Sequence, residues 1–178
     1  MSLLDDVVAT LRAADIPHAL IGAAAMAAHG VSRATADVDL LVTSPQSLVA
    51  ATWAALAATS DIDIRRGNDD DPLAGVARIS RRGDLDVDVV VGKRGWQQGC
   101  VSRAAPSPAD GIPVVRVEDL VLLKLYAGGP QDAWDIHQVL GLPDGARIVA
   151  AVGELVASLP GDAQTLWQRI LNERTSAE

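Results

Sequence analysis

Apolar positions repeat with two periods along the chain, and each change of period marks an element. Leu4, Val7, Val8 and Leu11 share one face of a helix ending near Ala14, with Ser2 placed to cap it and Pro17 beyond it. "HALIG" reads as a short buried strand, and "AAAMAAHG" as a small-residue helix stopping at Gly30, where His29 is suited to satisfying the last carbonyls. "DVDLLV" alternates as a strand does. "PQSLVAATWAALAAT", from Pro45, predicts a second amphipathic helix with Trp53 on its apolar side. "DIDIRRG", the loop "NDDDPLAG" and two strands, "VARIS" and "DLDVDVVVG", follow, the strands separated by a turn at Arg82 and Gly83.

Beyond "AAPSPADGIP", a loop by its prolines and glycine, the period is helical: "VEDLVLLKLYAGG", "PQDAWDIHQVLG" and two further helices over 144–158 and 161–173. Strands alternating with helices and then a run of helices predict an α/β (α+β) fold, a small mixed β-sheet flanked by helices with a C-terminal helical cap. Trp53, Trp134 and Trp167 are expected as core anchors, because the chain has no Phe to share that task.

Composition narrows the classes. The 178 residues suffice for one full core, and the formal charge of −8 argues against an extended nucleic-acid surface, which needs clustered cations. An acidic opening segment without a basic start, and no apolar run of ~20 residues, predict a soluble, cytoplasmic protein with no membrane partner. Cys100 has no second cysteine to pair with and is expected to be structural.

Candidate chemistry lies in three stretches. In "DVDLLV" the alternation puts Asp37 and Asp39 on one face, with Cα atoms roughly 6.7 Å apart. Two like charges repel unless a cation lies between them; a hard divalent ion such as Mg²⁺ suits them, and a solvated strand end is the alternative. In "DLDVDVVVG", Asp84, Asp86 and Asp88 fall on one face, either to complete a two-metal site or to guard an edge strand against aggregation. In "IGAAAMAAHG" a strand runs through Gly22 and Ala23 into a helix, an arrangement that serves phosphate binding or close helix–sheet packing. Lys124 interrupts "LVLLKLY" and needs a partner there: either an ion pair with Asp132 or Asp135, or a nucleotide phosphate.

Taken in order, "IGAAAMAAHGVSRATADVDLLV", "DVVVG" and "VEDLVLLKLYAGGPQDAWDIHQVL" resemble the minimal nucleotidyltransferases of the DNA polymerase-β superfamily, with the last segment similar to their abortive-infection (AbiEii-like) toxin branch. The resemblance covers roughly residues 16–140. It implies a catalytic core over 1–112, with a C-terminal strand and helical region over 113–178 packed on it as one unit. It further implies two Mg²⁺ ions on Asp37, Asp39 and a third carboxylate, Asp88 with Asp86 as the alternative. Gly22, Ala23, Arg33 and Thr35 fall at nucleotide-binding positions, Arg33 being equally placed to pair with the strand aspartates, and Lys124 at a catalytic one.

The implied reaction is transfer of NMP from an NTP such as ATP to a hydroxyl. The implied acceptor is RNA or protein, in a bacterial defence or toxin–antitoxin system with a cognate antitoxin. A small-molecule, aminoglycoside-type acceptor and a non-catalytic binding module of the same fold are the alternatives. Two positions depart from the family pattern. The turn reads Gly-Ala where many relatives have Gly-Ser or Gly-Gly, and "AGGPQD" lacks the basic residue often found there.

Overall fold

A computed structural model describes residues 2–177. Its elements are α1 (Leu3–Ala13), β1 (His18–Leu20), α2 (Gly22–Ala28), β2 (Asp37–Val42), β3 (Asp61–Arg66), β4 (Leu73–Ser80), β5 (Asp86–Gly92), α3 (Gly95–Arg103), β6 (Ala105–Pro106), β7 (Pro113–Val114), α4 (Val117–Ala127), α5 (Pro130–Leu140), α6 (Gly145–Leu155) and α7 (Gly161–Ala177). They fall into two compact units, Met1–Ala28 with Ser32–Val115, and His29–Val31 with Arg116–Glu178.

The first unit is built on a seven-stranded sheet in the order β3-β4-β5-β2-β1-β7-β6. β5 lies parallel to β2 and β7 parallel to β1, while the other neighbours are antiparallel, so the sheet is mixed as the alternating pattern predicts. Along β2 and β5 the valines and leucines at 38, 40, 87 and 89 are buried, and the aspartates between them are half-buried. Period-2 alternation thus gives the sheet an apolar face and an acidic face. Helix α1 packs on β5, and α2 and α3 pack on β2. A capping box fixes the start of α1: Ser2 Oγ accepts from the Asp5 amide at 3.2 Å, and Asp5 Oδ2 accepts from the Ser2 amide at 2.9 Å.

In the second unit α4 is central. Its Val117, Leu120, Val121, Leu122 and Leu125 are buried around most of its circumference, against α5, α6 and α7. Trp167 and Ile170 of α7 close this core. No described helix is long and apolar enough to cross a membrane.

Four local expectations are corrected. Residues 45–59 form two 3₁₀ turns, Pro45–Leu48 and Ala50–Trp53, rather than one helix. Val49 between them is extended, and side chains take carbonyls that an α-helix needs: the Trp53 indole donates to Ser47 O at 2.9 Å and Arg66 to Leu48 O at 2.5 Å. Helix α3 was not expected, because two glycines and a polar face conceal it. Its start is held by Gln97 Oε1, which accepts from the amides of Lys93 and Arg94 at 2.9 Å each. Trp134 is 49% exposed rather than a core anchor, since Ile136, Val139 and Leu140 supply the inward face of α5. Asp84 precedes β5 and pairs with Arg81 at 2.8 Å, so it does not share the face of Asp86 and Asp88.

His18 gives the first unit a pH dependence. Its Nδ1 lies 2.9 Å from Ile16 O, which requires a proton on Nδ1 and leaves the buried Nε2 without a hydrogen-bond partner among the described residues. Burial pushes its pKa below the ordinary histidine value, against the pull of the Ile16 carbonyl. A depressed histidine pKa means that folding favours the neutral ring. The stability it contributes is complete above about pH 6.5 and is lost as pH falls toward the folded-state value, by up to about 1.4 kcal/mol per pH unit. Urea midpoints at pH 7.5 and 5.5 will therefore fall further for the wild type than for His18→Gln. An equal fall in both contradicts this role.

Candidate active site

Register assembles the acidic face. β2 and β5 pair in parallel with Asp37 opposite Asp86 and Asp39 opposite Asp88, which puts four carboxylates on the same side of two adjacent strands roughly 4.8 Å apart. Each strand alone shows only an alternating acid pattern. Their parallel, unshifted pairing makes the cluster.

Each carboxylate has distinct surroundings. Thr35 Oγ1 donates to Asp37 at 2.8 Å from Oδ1, so the residue two positions upstream aims that carboxylate. Asp39 lies against the first residue of α2. Gly22 has φ of +59°, and a Cβ there would collide with Asp39 Oδ2 and sit 3.0 Å from its Cγ. Only glycine meets both demands, a left-handed backbone and no side chain. Ala23, next in the helix, is buried. Arg33 Nη1 donates to Ala34 O at 3.3 Å.

Asp88 is 13% exposed at its side chain and is held by Arg78 of β4, its directly paired neighbour across the strands. The guanidinium is bidentate, with Nε to Oδ1 at 2.7 Å and Nη2 to Oδ2 at 2.5 Å, and the same Nη2 lies 3.8 Å from Asp37 Oδ2. These hydrogen bonds, followed by the charge of Asp88, raise the arginine's pKa well above its ordinary value. Sequence reading missed Arg78. Its signal was a lone cation inside the apolar strand "VARIS", which acquires meaning only once the β4–β5 register is known.

Lys124 lies in the second unit, on α4, and is paired with both aspartates of α5 considered for it. Nζ is 2.6 Å from Asp135 Oδ2 and 3.0 Å from Asp132 Oδ1. Asp135 is fully buried and also accepts from Gln131 Nε2 at 3.0 Å, while Asp132 Oδ2 takes the Gly129 amide at the start of α5 at 3.1 Å. Lys124→Met leaves Asp135 buried without its cation, and urea unfolding will show a loss of about 3–5 kcal/mol. Unchanged stability would show that the triad does not tie α4 to α5.

Hard carboxylate oxygens in Asp37 and Asp39 fit a divalent cation such as Mg²⁺ by donor chemistry. Among the described residues no three His, Cys, Asp or Glu side chains are gathered closely enough to hold a metal ion. Asp88, expected as the third carboxylate with Asp86 as the alternative, is turned to Arg78.

No protein-family model matches the chain, and no curated protein matches it in sequence. Solved structures do. An antigenic nucleotidyltransferase-like protein from Paracoccidioides brasiliensis superposes with a TM-score of 0.57 at 16% identity, over 96% of this chain and 86% of its own. A candidate nucleotidyltransferase from H. pylori gives 0.52 at 16% identity, over 99% and 95%. The antibiotic-resistance factor ANT(2″)-Ia gives 0.50 at 15% identity, over 98% and 92%. The chain therefore has the nucleotidyltransferase fold, the class that its sequence pattern resembles.

Proposed function

We propose that the protein is a Mg²⁺-dependent nucleotidyltransferase that moves an NMP from an NTP to an acceptor hydroxyl and releases pyrophosphate. The observation that carries this reading is the parallel register that sets Asp37 and Asp39 beside Asp86 and Asp88, with Gly22 pressed against Asp39.

Asp37 and Asp39 would hold the metal ions, with Thr35 fixing the orientation of Asp37. Mg²⁺ bound there supplies neutralisation of triphosphate charge and alignment of the reacting oxygens. Asp88, or Asp86 one pair along the same face, is the third carboxylate and accepts the proton of the attacking hydroxyl. Gly22 and Ala23 present backbone to the triphosphate, which suits a Gly-Ala turn with no side-chain hydroxyl. Arg33 is a phosphate contact, and Lys124 remains a candidate one beyond its ion pairs. The first unit is the catalytic core. Catalysis by such a site is mostly positioning and electrostatics.

For the acceptor we favour RNA or protein, in a cytoplasmic toxin-like role with a cognate antitoxin, because the ordered motifs and the "VEDLVLLKLYAGGPQDAWDIHQVL" segment are similar to the abortive-infection branch. A small cationic acceptor of aminoglycoside type is the second reading, favoured by the formal charge of −8. Incubation with α-labelled NTPs, Mg²⁺ and a cell extract decides between them. Label in RNA or protein supports the first reading, label in small molecules the second. Failure of calorimetry to detect any NTP binding with Mg²⁺ would favour a non-catalytic module.

A further inference from the structure

We infer that Arg78 is the resident counter-ion of the acidic face, and that a divalent cation and the Arg78–Asp88 pair are mutually exclusive: metal entry displaces the guanidinium from Asp88. This rests on the reading of Asp37 and Asp39 as metal-holding residues. Three observations carry it. Arg78 Nη2 stands between carboxylates of two adjacent strands, 2.5 Å from Asp88 Oδ2 and 3.8 Å from Asp37 Oδ2, the position a cation shared by Asp37 and Asp88 would take. Both oxygens of Asp88 are engaged by the fork, so an ion that recruits Asp88 beside Asp37 and Asp39 competes with the guanidinium for them.

The third observation is that the arginine has somewhere to go. Its side chain is 46% exposed against 13% for Asp88, so the cation is the outward, movable partner. It borders a cavity of about 430 Å³ that also presents Asp63 and Asp71. Asp63 is the residue paired with Arg78 on its other side, across β3 and β4, and its present partner is the exposed Arg65 at 2.8 Å. A guanidinium leaving Asp88 thus finds a carboxylate on the neighbouring strand without a backbone shift.

The guanidinium therefore serves the acidic face as a substitute cation. It holds mutually repelling carboxylates together and sets a threshold that a metal ion must exceed.

Mn²⁺ titration without nucleotide, followed by the EPR signal of the free ion, tests this on the intact chain. Arg78→Gln should bind Mn²⁺ at least tenfold more tightly than wild type, Arg78→Lys should lie between them, and adding Asp88→Asn to Arg78→Gln should abolish the gain. Equal or weaker binding by a folded Arg78→Gln overturns the displacement while leaving the metal reading intact. Absence of Mn²⁺ binding in every variant overturns both. The wild type supplies a second readout that does not depend on variant folding: the Arg78 Nε–H resonance should shift on Mg²⁺ addition, and a resonance unmoved at saturating Mg²⁺ overturns the proposal.

Discussion

Asp39→Asn will reduce nucleotidyl transfer by at least about 10²–10³-fold while the protein remains folded. That range is the usual cost of removing one preorganised electrostatic group from a reacting centre. The substitution keeps the shape of the side chain and removes its charge. Gly22 continues to fit against it, because the collision that forbids a Cβ there involves the position of the carboxylate and not its ionisation. Steady-state rates with saturating NTP and Mg²⁺, together with a melting curve, provide the check. A rate within threefold of wild type would remove Asp39 from the site, and a collapsed melting curve would make its role structural.

Gly22→Ala carries the second large effect, through two additive costs. Alanine at φ of +59° costs roughly 1–2 kcal/mol against glycine, a penalty paid in the backbone. The new methyl also falls on Asp39 Oδ2, so the carboxylate must turn away or the start of α2 must move. Activity should fall by about 10²-fold, since a displacement near 1 Å at the reacting centre is enough for that. Stability should fall by only about 1–3 kcal/mol. The diagnostic feature is this disproportion. A loss of stability with full activity in the remaining folded fraction would mean that Gly22 serves packing alone.

The sequence shows most of the secondary structure of the site and little of its assembly. "DVDLLV" and "DVDVVVG" are legible as strands because every second residue is acid or apolar, a pattern set by the local pleat. The amphipathic period likewise exposes α5, α6 and α7, while α4 shows as a nearly continuous apolar run. The pairing of Asp39 with Asp88 and of Asp37 with Asp86 is a long-range fact with no local signature, and the place of Arg78 follows from it. Asp84 shows the limit of alternation, which extends the strand two residues too far because the turn residue Arg81 captures that carboxylate. The 45–59 stretch has a helical pattern, yet the Trp53 indole and the Arg66 guanidinium take Ser47 and Leu48 carbonyls from its backbone. Lys124 is the reverse case. An unaccompanied cation in an apolar helix demanded a partner, and both aspartates considered from the sequence meet it.

The carboxylates gathered by β2 and β5 are proposed to carry out nucleotidyl transfer rather than another reaction of triphosphates. The most direct measurement compares NTP labelled at the α-phosphate with NTP labelled at the γ-phosphate, using Mg²⁺, a cell extract, and the wild type beside Asp39→Asn. The expected result is α-label in an acceptor, γ-label only in pyrophosphate, and neither with Asp39→Asn. Transfer of γ-label to the acceptor, or equal α-labelling by wild type and Asp39→Asn, would contradict it.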